Sequence, residues 1–199
     1  MTAMPGFPDE GEWTVSDLTR LPPDFFRYEL INRRLIELPS PVGFHSWIHR
    51  QIANALDVGC PPDLMVVTET SLAVDDENEP RPDIGVILAK NAGVSPAPIG
   101  KVPLVAEVIS PESRTRDRRD KAVLFARAGV PYYWVIDPRG DHISLTEHVL
   151  AGDSYQIETE TEEVFVAERP WLITVDLPAY TAKRDGAIGS PEERRRRED

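Results

Sequence analysis

The sequence has little of several residue types and patterns on which common functional sites depend. A single cysteine, Cys60, leaves no partner for an internal disulfide and too few thiols for a cysteine-based zinc site. Neither G-x-x-x-x-G-K-[ST] nor G-x-G-x-x-G occurs, which argues against these two kinds of phosphate-binding loop. No run approaches the roughly 18 apolar residues of a membrane helix, and the N-terminus lacks the basic and then apolar order of a secretory signal. We therefore expect a cytoplasmic protein without a membrane partner.

Basic residues are scarce relative to acidic ones. The chain has 22 Lys and Arg against 34 Asp and Glu, with a formal net charge of −12, which argues against coating of nucleic acid by bulk electrostatics. The balance reverses in one short segment, where five bases face two acids, Asp117 and Asp120. These bases are Arg114, Arg116, Arg118, Arg119 and Lys121. An acidic protein thus retains one local basic patch.

Composition and periodicity predict the domain organisation. With 41% hydrophobic residues among 199, the chain has enough apolar material for one core. We expect a flexible tail over 1–13, a single domain over 14–182 and a disordered charged tail over 183–199. The pattern is typical of an α/β fold with an N-terminal hairpin within 28–38 and a C-terminal antiparallel meander. Helices are predicted over 14–20, 45–58 and 116–128, and strands over 64–68, 71–74, 83–88, 104–109, 132–136, 142–149, 154–158 and 164–167.

Two acids stand in apolar runs that read as strands. Glu107 lies in PLVAEVI, a run typical of a central strand covered on both faces, and alternation places it on the side of Val105 and Ile109. An unpaired carboxylate there would cost several kcal/mol of desolvation or take up a proton, so a partner is implied. Asp83 opens the run DIGVIL directly after Pro82, at the mouth of a strand. Taken singly, Asp83 is equally explained as a turn cap and Glu107 as half of a structural ion pair with an arginine.

The predicted helix after Glu107 favours a functional interpretation. At about 100° per residue, one narrow face carries two charged residues followed by three apolar ones. Its members are Asp117, Lys121, Leu124, Phe125 and Ala128. Since the apolar residues should pack on the sheet, Asp117 and Lys121 are expected to point toward the strand end near Glu107. Arg118 and Arg119 are expected to point toward solvent or a polyanion.

Two strand acids and one inward lysine predict a divalent-metal site. Hard carboxylate oxygens suit Mg²⁺, with Mn²⁺ as the alternative ion, and the waters of the ion leave room for a phosphate. Such an ion stabilises charge that builds on a phosphodiester, and an ammonium can assist the nucleophile. The pattern of Asp83, Glu107 and Lys121 therefore indicates a phosphodiester hydrolase.

Four stretches of the chain resemble a known family. They are YELINRRLIELPSP, RPDIGVI, PLVAEVISPESRTRDRRDK and FARAGVPYYWVID, and in this order and spacing they are similar to the bacterial Uma-type restriction endonucleases of the PD-(D/E)xK superfamily. The resemblance covers roughly residues 14–180. It implies a restriction-endonuclease-like core, a mixed central sheet flanked by helices, with Mg²⁺ bound by Asp83, Glu107 and the backbone carbonyl of Val108. Glu29 is similar to the early acid that completes the metal environment, although strand alternation alone would make it a solvent-facing residue.

One position departs from the superfamily pattern. A lysine normally stands two residues after the second acid, where this chain has Ile109. The resemblance and the helical spacing both indicate Lys121 as the substitute. His45 is similar to a recurrent histidine of the family, and it either touches the substrate or caps a helix.

These observations lead to a preferred function and two alternatives. The preferred one is a Mg²⁺-dependent DNA endonuclease in which Lys121 is catalytic and Arg114, Arg116, Arg118 and Arg119 contact phosphates. A homodimer is expected, because nucleases that cut both strands often pair by two-fold symmetry. The first alternative is a catalytically weak DNA-binding or regulatory module on the same core. The second is a structural oligomer whose acids pair with arginines across an interface.

Overall fold

A computed structural model describes residues 7–21, 28–38, 43–110, 116–190 and 193, without the side chains of 116–118. The helices of this part are α1 (Val15–Leu18), α2 (Gly43–Asp57), α3 (Ala122–Arg127) and α4 (Leu177–Ile188), with a 3₁₀ turn (Ala89–Asn91) and a π-helical segment (Arg116–Lys121). The strands are β1 (Tyr28–Ile31), β2 (Arg34–Glu37), β3 (Leu64–Thr68), β4 (Leu72–Ala73), β5 (Ile84–Leu88), β6 (Ala97–Pro98), β7 (Leu104–Val108), β8 (Tyr132–Asp137), β9 (Ser144–Ala151), β10 (Ser154–Thr161), β11 (Val164–Ala167) and β12 (Ile173–Asp176). No helix in these ranges is both long enough and apolar enough to cross a membrane.

A mixed six-stranded sheet forms the centre of the molecule. Its order is β10–β9–β8–β7–β5–β3, and every neighbouring pair is antiparallel except β7 and β8. Parallel neighbours need a crossover connection, and the π-helical segment with α3 supplies it between β7 and β8. This crossover carries the chain back over one face of β7, so residues at its start lie close to the end of that strand.

Two apolar clusters cover the opposite faces of the sheet. On one face α2 packs through Ile48 and Ile52 against a cluster that includes Ala106 and Val108 of β7. On the other face Phe125 of α3 packs in a cluster with further sheet residues, Val105, Ile109, Tyr133 and Val135. Since Glu107 alternates with Ala106 and Val108, it belongs to the α3 face, as predicted.

The predicted mixed α/β fold is confirmed, and so are the N-terminal hairpin β1–β2 and the antiparallel pairing of β9 with β10, the first two strands of the meander predicted over 142–149, 154–158 and 164–167. The third predicted strand of the meander behaves differently, because β11 pairs with β12 in a separate two-stranded sheet. The residues of β12 were not predicted as a strand. Four residues, Ile173–Asp176, are too short for period-two alternation to stand out.

The C-terminal helix reaches beyond the expected start of the tail. The composition predicts a disordered segment from residue 183, whereas α4 continues to Ile188. Arg184 explains the difference, since its guanidinium is buried and donates to the main-chain carbonyls of Pro138, Gly140 and Asp141. A charged composition predicted solvent exposure, but these carbonyls supply a buried guanidinium with acceptors. The domain limits themselves stay predictions.

Candidate active site

A buried lysine lies between two buried carboxylates at one end of the central sheet. The Nζ atom of Lys121 is 2.6 Å from Oε1 of Glu107 and 3.1 Å from Oε2 of Glu29. Their side chains are almost fully enclosed, with exposed fractions of 2% for Lys121, 3% for Glu107 and 0% for Glu29. Charges so deeply buried need partners, and each carboxylate has one in this ammonium.

The three residues Glu29, Glu107 and Lys121 come from three separate elements. Glu29 comes from β1, whose hairpin turn is formed by Asn32 and Arg33 in the left-handed conformation, with φ of 49° and 62°. Glu107 comes from the central strand β7, and Lys121 ends the π-helical segment immediately before α3. Short π-helical segments are uncommon and are often found at functional sites. The prediction that Lys121 points inward toward Glu107 is confirmed by the contact.

Asp83 forms a hydrogen bond with the main chain of β7 beside Glu107. Its Oδ2 atom accepts a 2.7 Å hydrogen bond from the N–H of Val108. The antiparallel register of β5 and β7 pairs Ile84 with Ala106, and one further step along both strands brings Asp83 opposite Glu107. The carboxylate of Asp83 is 20% exposed, so this edge of the pocket is open to solvent.

His45 contacts the same short stretch of β7 from the opposite face. Its Nε2 atom lies 3.0 Å from the carbonyl oxygen of Val108 and 3.7 Å from Oδ2 of Asp83. A carbonyl can only accept, so Nε2 carries the hydrogen of this bond. His45 belongs to the first turn of α2, but its ring bonds to the strand rather than capping the helix. The expected contact with substrate stays a prediction.

Arg81 is a pocket residue that the sequence reasoning missed. Its main-chain N–H donates to Oε2 of Glu29 at 3.2 Å, and its carbonyl accepts from Nζ of Lys121 at 3.4 Å. Its guanidinium donates to the hydroxyl of Ser71 at 3.1 Å. Burial raises the pKa of the adjacent Glu79, while the hydrogen bond from Ser71 and the charge of Arg81 lower it. The only signal in the sequence was the position of Arg81, two residues before Asp83.

The comparisons with known proteins concern the family and the fold of the chain. The model of the family Uma2, described as "Putative restriction endonuclease", matches residues 15–178. The chain belongs to the Uma2 family. No curated protein matches it. Among solved structures, a crystal structure from Anabaena variabilis ATCC 29413, titled a "putative nuclease belonging to DUF820", superposes with a TM-score of 0.68 at 16% identity, covering 85% of this chain and 97% of that chain.

The remaining predicted site residues divide into two groups. Ile109, which stands where the resemblance implies a lysine, is buried at 1% exposure in the cluster of Phe125 and takes part in core packing. Arg119 is exposed, as predicted. The other predicted residues of the basic segment lie outside the described part of the chain. This holds for Arg114 as a whole and for the side chains of Arg116, Asp117 and Arg118.

The donor set of the pocket fits a hard divalent cation. Glu29, Asp83 and Glu107 offer carboxylate oxygens, and with Lys121 as the counter-charge two negative charges remain in excess among these four residues. Among the described residues, no group of three or more His, Cys, Asp or Glu side chains is arranged to hold a metal ion. Mg²⁺, however, usually keeps several waters and needs only one or two protein carboxylates. Two acids and one carbonyl therefore suffice.

Proposed function

We propose that this member of the Uma2 family is a metal-dependent DNA endonuclease that hydrolyses phosphodiester bonds. Asp83, Glu107 and the main-chain carbonyl of Val108 would hold Mg²⁺, and Mn²⁺ would substitute for it. The family match over residues 15–178 and the nuclease-like fold support this class of reaction. The proposal rests above all on the contact between Lys121 and Glu107, because it brings a cationic group to the acid expected to bind the ion.

The chain's own groups would divide the chemistry between them. When bound, the ion would lower the pKa of a coordinated water and stabilise the charge that develops on the phosphate. Lys121 would direct its ammonium toward the attacking water or the phosphate oxygens, where a fixed positive charge in a dry pocket acts strongly. Asp83, fixed by the N–H of Val108, would keep one carboxylate oxygen turned toward the open side of the pocket.

The basic segment would supply the contact with DNA. Arg119 is exposed in the same π-helical segment as Lys121, and Arg114, Arg116 and Arg118 precede it in the chain. Phosphate contacts from arginine fix the position of a duplex without reading its sequence. A homodimer related by a two-fold axis would present two such sites to the two strands of a duplex.

A plasmid nicking assay tests the proposal. Supercoiled DNA is incubated with the full chain and Mg²⁺, beside Glu107→Ala, Lys121→Ala and an exposed control, Glu37→Gln. We expect the wild type and the control to nick the plasmid, and the nicking rate of the other two variants to fall by at least about a hundredfold. No protein should nick the plasmid when a chelator is present. Nicking by a Glu107→Ala protein of proven purity would contradict the proposal.

A second candidate is a nuclease-like module that binds DNA without useful turnover. It is favoured by one observation, the burial of Ile109 at the position where the superfamily pattern has lysine. This candidate predicts that wild type binds DNA without cutting it and that Lys121→Ala leaves binding unchanged. Mg²⁺ titration by calorimetry tests the remaining alternative, a purely structural oligomer. Heat that disappears in the Asp83→Ala, Glu107→Ala double variant would exclude that alternative.

A further inference from the structure

Glu29 is the most deeply buried acid of the pocket, and one of its oxygens contacts both the lysine and a main-chain N–H. Its side chain is 0% exposed, and its Oε2 atom lies 3.1 Å from Nζ of Lys121. The same oxygen accepts the main-chain N–H of Arg81 at 3.2 Å. Asp83, in contrast, is partly open to solvent and bonds to Val108. Two contacts of Oε2 thus join Glu29 to the lysine and to the main chain of Arg81.

We propose that Glu29 is the positioning residue of Lys121 rather than a ligand of the ion. This inference rests on the proposed function, since it assigns Glu29 a part in the same pocket. The carboxylate of Glu29, on the N-terminal hairpin, holds the ammonium of Lys121 in place. Glu107 would both pair with this ammonium and bind the ion.

The main chain of Arg81 explains why this arrangement is rigid. One residue donates its N–H to Glu29 and accepts from Lys121 through its carbonyl, so the acid and the base are both fixed to the same short segment. That segment leads through Pro82 directly to Asp83. The lysine and the first metal-binding acid therefore share a common support.

The proposal has a clear electrostatic consequence. A divalent ion bound to Glu107 draws the charge of that carboxylate toward itself and repels the neighbouring ammonium. Lys121 would then leave the pocket unless another buried anion held it. Glu29 supplies that anion, because at 3.1 Å it forms an ion pair that solvent does not screen.

Mn²⁺ binding and cleavage together test the role of Glu29. Binding to the full chain is followed by electron paramagnetic resonance for the wild type, Glu29→Gln, Asp83→Asn and the exposed hairpin control Glu37→Gln. We expect Glu29→Gln to keep its Mn²⁺ affinity within about twofold while its kcat falls by about tenfold to a hundredfold, as for other supporting residues of a site. Asp83→Asn should lose affinity by at least about tenfold. An equal loss of affinity in Glu29→Gln would overturn the proposal and leave the nuclease assignment intact.

A second readout does not depend on activity. The ammonium of Lys121 is observed by NMR with ¹⁵N-labelled lysine and is assigned by the absence of its signal in Lys121→Met. Its slowly exchanging signal should shift and broaden in Glu29→Gln, because one of the two carboxylate partners is lost and Glu107 remains, and it should be unchanged in Glu37→Gln. An unchanged signal in Glu29→Gln would refute the positioning role. If the wild type neither binds Mn²⁺ nor cuts DNA, the proposed function fails, and this spectrum still decides the part of Glu29.

A double variant covers the case in which Glu29→Gln does not fold alone. If the two side chains act as a pair, removing both should cost less than the two separate changes together. We expect Glu29→Gln with Lys121→Gln to melt at a temperature no lower than Lys121→Gln does. A double variant that melts below Lys121→Gln would contradict the pairing.

Discussion

The Nζ atom of Lys121 lies 2.6 Å from Oε1 of Glu107, although the two residues are 14 positions apart in the chain. The strand β7 carries the acid and the following crossover carries the base, so the contact exists only when the crossover is packed on the sheet. Loss of Lys121 should therefore affect both the stability of the fold and the proposed cleavage reaction.

Replacing Lys121 with Met should destabilise the protein as well as abolish cleavage. The change leaves the buried carboxylates of Glu29 and Glu107 without the ammonium between them, and breaking a buried ion pair typically costs about 3–5 kcal/mol. Urea denaturation of wild type and variant measures this loss, and circular dichroism verifies that the variant is folded before cleavage is compared. A variant as stable as the wild type would show that the pair contributes little.

Replacing His45 with Phe should strengthen metal binding. The ring of His45 donates to the carbonyl of Val108, which is also an expected ligand of the ion. Loss of one competing hydrogen bond is worth about 1 kcal/mol, which corresponds to about fivefold in affinity. Mn²⁺ titration of His45→Phe beside wild type measures the effect. Weaker binding in the variant would instead assign His45 a supporting role toward the ion.

The stability of the protein should respond to the protonation of Glu147, which lies on β9, two strands from β7. Burial raises the pKa of this carboxyl from 4.5, the hydrogen bond from Trp134 opposes the rise, and the charge of Glu158 adds to it. Because the folded state binds the proton more tightly, this group adds stability at pH below its unfolded pKa, and the contribution is lost as pH rises through the folded value.

Glu147→Gln tests this directly, since the amide oxygen can still accept from Nε1 of Trp134 and does not titrate. The free energy of unfolding of the wild type, relative to that of the variant, should fall as pH rises from about 4 to about 8. Urea denaturation across this range provides the measurement. A constant difference would mean that the pKa of Glu147 is the same in the folded and unfolded states.

Cleavage should depend strongly on ionic strength. The net charge of −12 repels DNA at long range, so binding relies on local contacts from the basic segment, which salt weakens. We expect appreciable nicking at low salt and a loss of about tenfold or more when the salt concentration is raised about fourfold. Equal rates at low and high salt would contradict this.

The sequence was most informative where periodicity and burial coincide. The run around Glu107 predicted a strand covered on both faces, and β7 is buried along its whole length. Helical spacing placed Lys121 on the face of Leu124 and Phe125, which are buried with it. Both predictions could be made because each depends only on residues close together in one strand or one helix.

Other features could not be predicted because they depend on contacts between distant segments. The contacts of Arg81 join β1 to the crossover through its main chain, and side-chain type carries no information about them. Glu29 looked like a solvent-facing strand acid, because alternation cannot show that other elements cover both faces of a short hairpin. The π-helical segment likewise has no periodic signature in the sequence.

Because Lys121 lies at the start of α3, the position of its ammonium in the pocket depends on one of the shortest elements of the fold. Phe125, with Ala122 beside it, packs this six-residue helix on the sheet, while the strands beneath it are held by their own ladders of hydrogen bonds. Heating should therefore detach the helix first and withdraw the ammonium while the strands remain paired. Thermal inactivation would then precede the melting of the domain.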